Sequence, residues 1–76
     1  DEKRKTLSRK EKQLIDNIRH ARQDSNMTQE KLSALIGKNS NYMGMVESYR
    51  RGISFKILFK IATALKVKTS LLFEHI

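Results

Sequence analysis

Seventy-six residues with neither cysteine nor proline make one domain of about the smallest size that supports its own core. The missing cysteines exclude disulfides and thiolate metal sites, and no apolar run approaches the roughly 18 residues of a membrane span. Sixteen Lys and Arg against eight Asp and Glu leave a formal charge of +8. That balance favours polyanions, nucleic acid before an anionic membrane surface, with a merely basic soluble surface as the bland alternative.

In chain order, residues 1–7 are charged and lack apolar periodicity. They are expected to form a basic N-terminal arm, with residues 8–76 as the folded domain. Ser8 followed three residues later by Glu11 is a capping box that opens a first helix over about residues 9–23. Leu14, Ile15, Ile18, Ala21 and Arg22 recur along it at helical spacing. Asp24, Ser25 and Asn26 make a polar turn, and Thr28 is the next N-cap, with Met27 and Leu32 as a hydrophobic staple. The second helix has Leu32, Leu35 and Ile36 as inward positions and stops at Gly37.

Asn39 is the cap of a third helix whose inward positions are Met43 and Val46. Ser54 caps a fourth helix with the apolar stripe Phe55, Leu58, Ile61, Ala62 and Leu65, stapled by Ile53 and Leu58. A short fifth helix over about residues 69–75 adds Leu72 and Phe73. The expected architecture is all-α, a compact bundle in which the first, fourth and fifth helices cover two very short ones.

Several function classes lack their residues. There is no nucleophile–base pair, carboxylate dyad or phosphate loop, and His20 and His75 have no ligand-like spacing around them. No catalytic residue, metal, cofactor or small-molecule ligand is therefore expected, and the chain does not read as an enzyme.

The stretch Thr28-Gln29-Glu30-Lys31-Leu32-Ser33-Ala34-Leu35-Ile36-Gly37 resembles the second helix and turn of the lambda-repressor-like (Cro/cI, XRE) helix-turn-helix domains. Tyr42-Met43-Gly44-Met45-Val46-Glu47 is similar to their recognition helix. Leu58-Phe59-Lys60-Ile61-Ala62-Thr63-Ala64-Leu65-Lys66-Val67 is similar to their fourth helix, and the register runs over about residues 18–73. The resemblance implies a transcriptional repressor or small controller that binds double-stranded DNA as a homodimer on a near-palindromic operator, in the cytoplasm and associated with the nucleoid. The competing reading is an antitoxin or coactivator-like protein-interaction module with secondary DNA binding.

With Met43 and Val46 inward, helical spacing turns Ser40, Asn41, Gly44, Met45 and Ser48 outward. In a major groove Asn pairs with adenine, Ser bonds several bases and Met45 meets a thymine methyl. Gly44 either allows close backbone approach or is a helix flaw costing up to about 1 kcal/mol. The resemblance implies a phosphate contact for Gln29 at the start of the second helix, which the free N–H groups there would support. Asn39 doubles as cap and phosphate partner, and Arg50 and Arg51 would meet the DNA backbone as positive charges. Tyr42 either reaches a phosphate through its hydroxyl or simply covers the helix.

The resemblance also implies an ion pair between Arg22 and Glu47 that holds the reading helix against the first. The apolar residues Ile57, Leu71, Phe73 and Ile76 are the candidates for dimer contacts, because they exceed what one small core buries. Four positions depart from the family pattern, among them Lys31, which replaces the acidic residue that would complete a second capping box. Lys38 replaces an apolar turn residue, which predicts looser turn packing. Ile53 replaces a common Pro. Tyr49 stands where Gly is frequent, which predicts that the third helix ends differently, with Gly52 as its stop.

Overall fold

A computed structural model of the chain describes residues 7–76, and five helices follow in order. They are α1 (Arg9–Asp24), α2 (Gln29–Leu35), α3 (Tyr42–Glu47), α4 (Phe55–Leu65) and α5 (Thr69–Leu72). No strand occurs among the described residues. Of the expected N-terminal arm, residues 1–6 lie outside the described residues, whereas Leu7 packs against the core.

The helix starts follow the capping chemistry of the sequence. Ser8 and Glu11 form the reciprocal box, with the Ser8 hydroxyl accepting from the Glu11 N–H and the Glu11 carboxylate accepting from the Ser8 N–H. Thr28 accepts from the N–H of Lys31 at 3.0 Å, and Ser54 accepts from that of Ile57 at 3.2 Å. Asn39 works two residues before the helix cap position, which Asn41 occupies. Its Oδ1 accepts from the N–H of Asn41 at 3.0 Å and its carbonyl from Tyr42, closing a turn that leads into α3. Asn41 flanks the helix without a capping bond of its own.

Four of the five helix ends share one solution. At Asn26, Gly37, Tyr49 and Lys66 the chain enters the left-handed region, with φ between 55° and 77°. After each, the next N–H reaches back five residues: Met27 to the Arg22 carbonyl, Lys38 to Ser33, Arg50 to Met45 and Val67 to Ala62. That pattern is the Schellman closure, which satisfies carbonyls the helix leaves open. Only Gly37 adopts it without a steric penalty. Tyr49 (φ 66°) does so where Gly52 was the expected stop, and Gly52 has no positive φ.

The core collects Ile15 and Ile18 of α1, Leu32 and Ile36 from α2 and its end, Met43 and Val46 of α3, Leu58, Ile61 and Leu65 of α4, and Leu72 of α5. Three expected placements change. Leu35 is 51% exposed, because α2 buries the arc spanned by Leu32, Ile36 and Ser33, and Leu35 falls on the opposite flank of Leu32. Phe55, expected in the stripe of α4, opens the helix beyond the reach of α2 and is 72% exposed. Ile57, assigned to a dimer contact, is only 8% exposed; it belongs to the core of its own chain. The last helix is also shorter than expected, and Phe73 lies past its end.

Two polar residues fix the angles between elements. Asn17 of α1 donates from Nδ2 to the carbonyls of Leu72 and Glu74, both at 2.8 Å, and so pins the C-terminal segment to α1. Ser33 is fully buried; its hydroxyl donates to the Gln29 carbonyl at 2.8 Å and accepts the Met43 N–H at 3.0 Å. The first turn of α3 thus has one of its unpaired N–H groups satisfied from α2. Replacing Ser33 by Ala leaves that donor buried and unpaired, which costs about 1–3 kcal/mol. Chemical denaturation of Ser33→Ala is expected to show that loss, and an unchanged midpoint would mean that the bond carries no net stability.

Candidate nucleic-acid interface

Glu47, the last residue of α3, is buried with its side chain 3% exposed, and three residues of other elements meet it. Arg22 of α1 binds it through two bonds, Nε to Oε2 at 2.7 Å and Nη2 to Oε1 at 2.9 Å. Gln29 of α2 donates from Nε2 to Oε1 at 3.0 Å, and Arg19 Nε lies 3.6 Å from the same oxygen. Arg22 is itself held, because its Nη1 donates to the Met27 carbonyl at 2.7 Å. The expected Arg22–Glu47 pair is therefore present, as the centre of a larger network that joins α1, α2 and α3.

Arg19, Asp16 and Tyr49 belong to this network; the first two carry no signal in the sequence pattern, and Tyr49 stood out only as a replacement of Gly. Arg19 donates to the Glu47 carbonyl and, at 3.0 Å, to the Asp16 carboxylate. The Tyr49 hydroxyl donates to the same Asp16 oxygen, while Lys12 and Arg19 lie over its ring, 5.6 and 5.7 Å from the centroid. These contacts offset the penalty of about 1–2 kcal/mol that a side chain meets in the left-handed region. Burial alone would lower the pKa of Arg19, but its bonds and charge interactions with Tyr49 and Asp16 outweigh that and raise it. The end of α3 is thus clamped by fixed charge.

The outward face of α3 is open. Ser40, Asn41, Met45 and Ser48 are exposed and Gly44 is partly so. All five line one cleft of about 740 Å³, together with Arg22, Thr28, Gln29, Glu30 and Arg50. A Cβ on Gly44 would lie 3.2 Å from Oε1 of Gln29, so the missing side chain leaves room for the amide that reaches Glu47. Close approach at Gly44 is therefore made by α2 of the same chain.

The expected backbone-contacting residues separate. Arg50 lines the cleft. Arg51 stacks on the Tyr42 ring at 4.8 Å, with Lys38 over the same ring at 5.3 Å. Tyr42 itself is buried, which gives its ring a packing role, and Lys38 is exposed. Asn39 is exposed beside the cleft. Leu71, Phe73 and Ile76 stay exposed near the pinned C-terminal segment.

Residues 18–72 match the family model described as helix-turn-helix. The chain belongs to this lambda-repressor-like helix-turn-helix family. It is 33% identical to the restriction-modification controller protein C.AhdI from Aeromonas hydrophila, over 80% of this chain and 92% of that one, with a TM-score of 0.74. It is 26% identical to a mutant of the restriction-modification controller protein C.Esp1396I, over 90% of this chain and 91% of that one, with a TM-score of 0.80. It is also 26% identical to a hypothetical transcription factor, NHTF, from Neisseria, over 93% of this chain and 84% of that one, with a TM-score of 0.78. No curated protein matches the chain.

Removing one member of a buried ion pair strands the other charge and costs about 3–5 kcal/mol. Glu47→Ala is expected to lower stability by that order in denaturant melts, since Arg22 would be left 11% exposed without its carboxylate. A midpoint equal to the parent's would show that solvent reaches Arg22 freely.

Proposed function

We propose that the chain is a sequence-specific, double-stranded-DNA-binding transcriptional regulator that reads the major groove with α3 as a homodimer. The single observation that carries this reading is the cleft in which Gly44 and Met45 of α3, with Ser40, Asn41 and Ser48 flanking the helix, meet Gln29 and Arg50. A major groove admits one helix, and its outer face and N-terminal end reach base edges. Asn41 and Met45 are the base-reading residues, with Ser40 and Ser48 as further hydrogen-bonding partners and Gly44 keeping the face low. Gln29, Asn39, Arg50 and Arg51 meet phosphates. Tyr42 is left out of that set because its ring is buried.

The electrostatics favour the same partner. From residue 31 to residue 73 the only carboxylate is Glu47, which is buried against Arg22, while eight Lys and Arg occupy the same stretch. In the cleft itself the cations Arg22 and Arg50 stand with one exposed carboxylate, Glu30, and the stretch as a whole is cationic, as a phosphate backbone favours. Two relatives are named as restriction-modification controller proteins and a third as a transcription factor, which supports regulation of transcription as the outcome of binding.

One reading helix offers too few outward residues for the 4–10 kcal/mol, roughly, that separates a specific site from random DNA. Two copies on a two-fold axis double the contacts, with reading helices spaced by about 34 Å, one duplex turn. Leu71, Phe73 and Ile76 remain the contact candidates for the dimer, and Ile57 is withdrawn from them.

Selection of bound sites from random duplexes is expected to return an inverted repeat. On that site Asn41→Ala or Met45→Ala should relax one base position and cost about 1–3 kcal/mol. Arg50→Ala or Arg51→Ala should weaken all duplexes alike and reduce the salt slope by about one unit. Altered base preference in the Arg variants would contradict their assignment to phosphates. Sedimentation with the selected duplex should give two chains per site; one chain at every concentration would contradict the dimer.

A further inference from the structure

A second surface, on the other side of α2, is apolar and uncovered. Leu35, Ile36 and Gly37 at the end of α2 face Phe59 and Ala64 of α4 across an open groove of about 840 Å³. Leu35 and Phe59 are each more than half exposed. Phe55 stacks on Phe59, with centroids 6.4 Å apart, and extends the apolar face one turn toward the start of α4. No residue of this groove lines the reading cleft, so an occupant of one leaves the other open.

The charge around the groove is of one sign. Lys60 and Lys66 line it, no carboxylate does, and α4 carries no acidic residue at all. A second copy of the chain would bring the same lysines and no acid, so two such faces repel. Duplex phosphates would find the two lysines here, but the exposed Leu35 and Phe59 would gain nothing from their approach.

We propose that this groove docks an acidic amphipathic helix of a partner protein. Its apolar side chains would cover Leu35, Phe59 and Phe55, and its carboxylates would meet Lys60 and Lys66. Helix-in-groove binding of this kind takes apolar anchors at i, i+3, i+4 and i+7, while the flanking charges set orientation and choice of partner. The docking would go on while DNA is held, and the proposal stands apart from the reading of the α3 face.

Two synthetic helical peptides with the same Leu and Phe stripe, one with Glu on its polar face and one with Lys, test it on the isotopically labelled full chain. The Glu peptide is expected to shift the amide signals of Leu35, Gly37, Phe59, Lys60 and Ala64, and the Lys peptide to bind at least about tenfold more weakly. Phe59→Ser should abolish the shifts and leave the salt-titrated binding of duplex DNA unchanged. Lys60→Glu with Lys66→Glu, both at exposed positions, should reverse the preference toward the Lys peptide. Equal binding of the two peptides, or shifts confined to other residues, would overturn the proposal. So would shifts at these amides on dilution without peptide, which would make the groove a contact between copies. Shifts caused by a single-stranded oligonucleotide in place of the Glu peptide would make it a base-stacking platform and would overturn it equally.

Discussion

A carboxylate taken out of water at the end of a six-residue helix has to be met by donors from elsewhere, and Glu47 is met from two other helices. Neither α2, with seven residues, nor α3 is long enough to be stable by itself. Their mutual angle is set at two points. Glu47 ties the end of α3 to Arg22 and Gln29, and Ser33 ties its beginning to α2. Between those points Met43 and Val46 enter the core, which leaves the opposite face of α3 free. A buried ion pair is a weak source of net stability, because desolvation cancels much of its attraction. What it imposes is geometry, since an apolar contact would accept small rotations of α3 that a two-bond Arg–carboxylate contact does not.

The network also explains why a tyrosine stands in the left-handed position after α3. Glycine would close the helix at no steric cost, but it would leave Asp16, Arg19 and Lys12 without the ring and hydroxyl that join them there. The Tyr49 clamp draws Arg19 toward the Glu47 carbonyl, so the strained residue serves the same carboxylate-bearing turn. Strain of this sort persists where the surroundings over-determine it.

Helix positions were legible in the sequence because caps and apolar spacing are local. Ser8 with Glu11, Thr28, Ser54 and Gly37 each act within a few residues of themselves, and each does what its residue type predicts. The Arg22–Glu47 pair was legible only through family resemblance, since 25 residues separate the partners. Arg19 and Asp16 left no trace, and Tyr49 stood out only as a departure from Gly, because a bond between distant polar side chains imposes no period on the chain. Ser33 had a faint signal: it neighbours Leu32 on a two-turn helix whose buried arc runs through Leu32 and Ile36. Leu35, Phe55 and Ile57 were misplaced for the converse reason. At the edge of an apolar stripe, spacing does not say which flank the neighbouring helix covers, and only packing of α2 against α4 decides it.

The central claim is that the Glu47 network orients α3 for DNA, beyond any stability it adds. It is tested most directly by replacing the pair with apolar residues of similar volume, Arg22→Met with Glu47→Leu, and measuring binding to the duplex selected for the parent. The expected result is a folded chain with a melting midpoint near the parent's and cognate affinity lowered at least about tenfold toward that for random DNA, the equivalent of 1.4 kcal/mol or more. The salt slope should stay unchanged, because neither residue is assigned to a phosphate. Cognate affinity and base preference equal to the parent's, in an equally stable double variant, would contradict the claim and leave the network a structural detail.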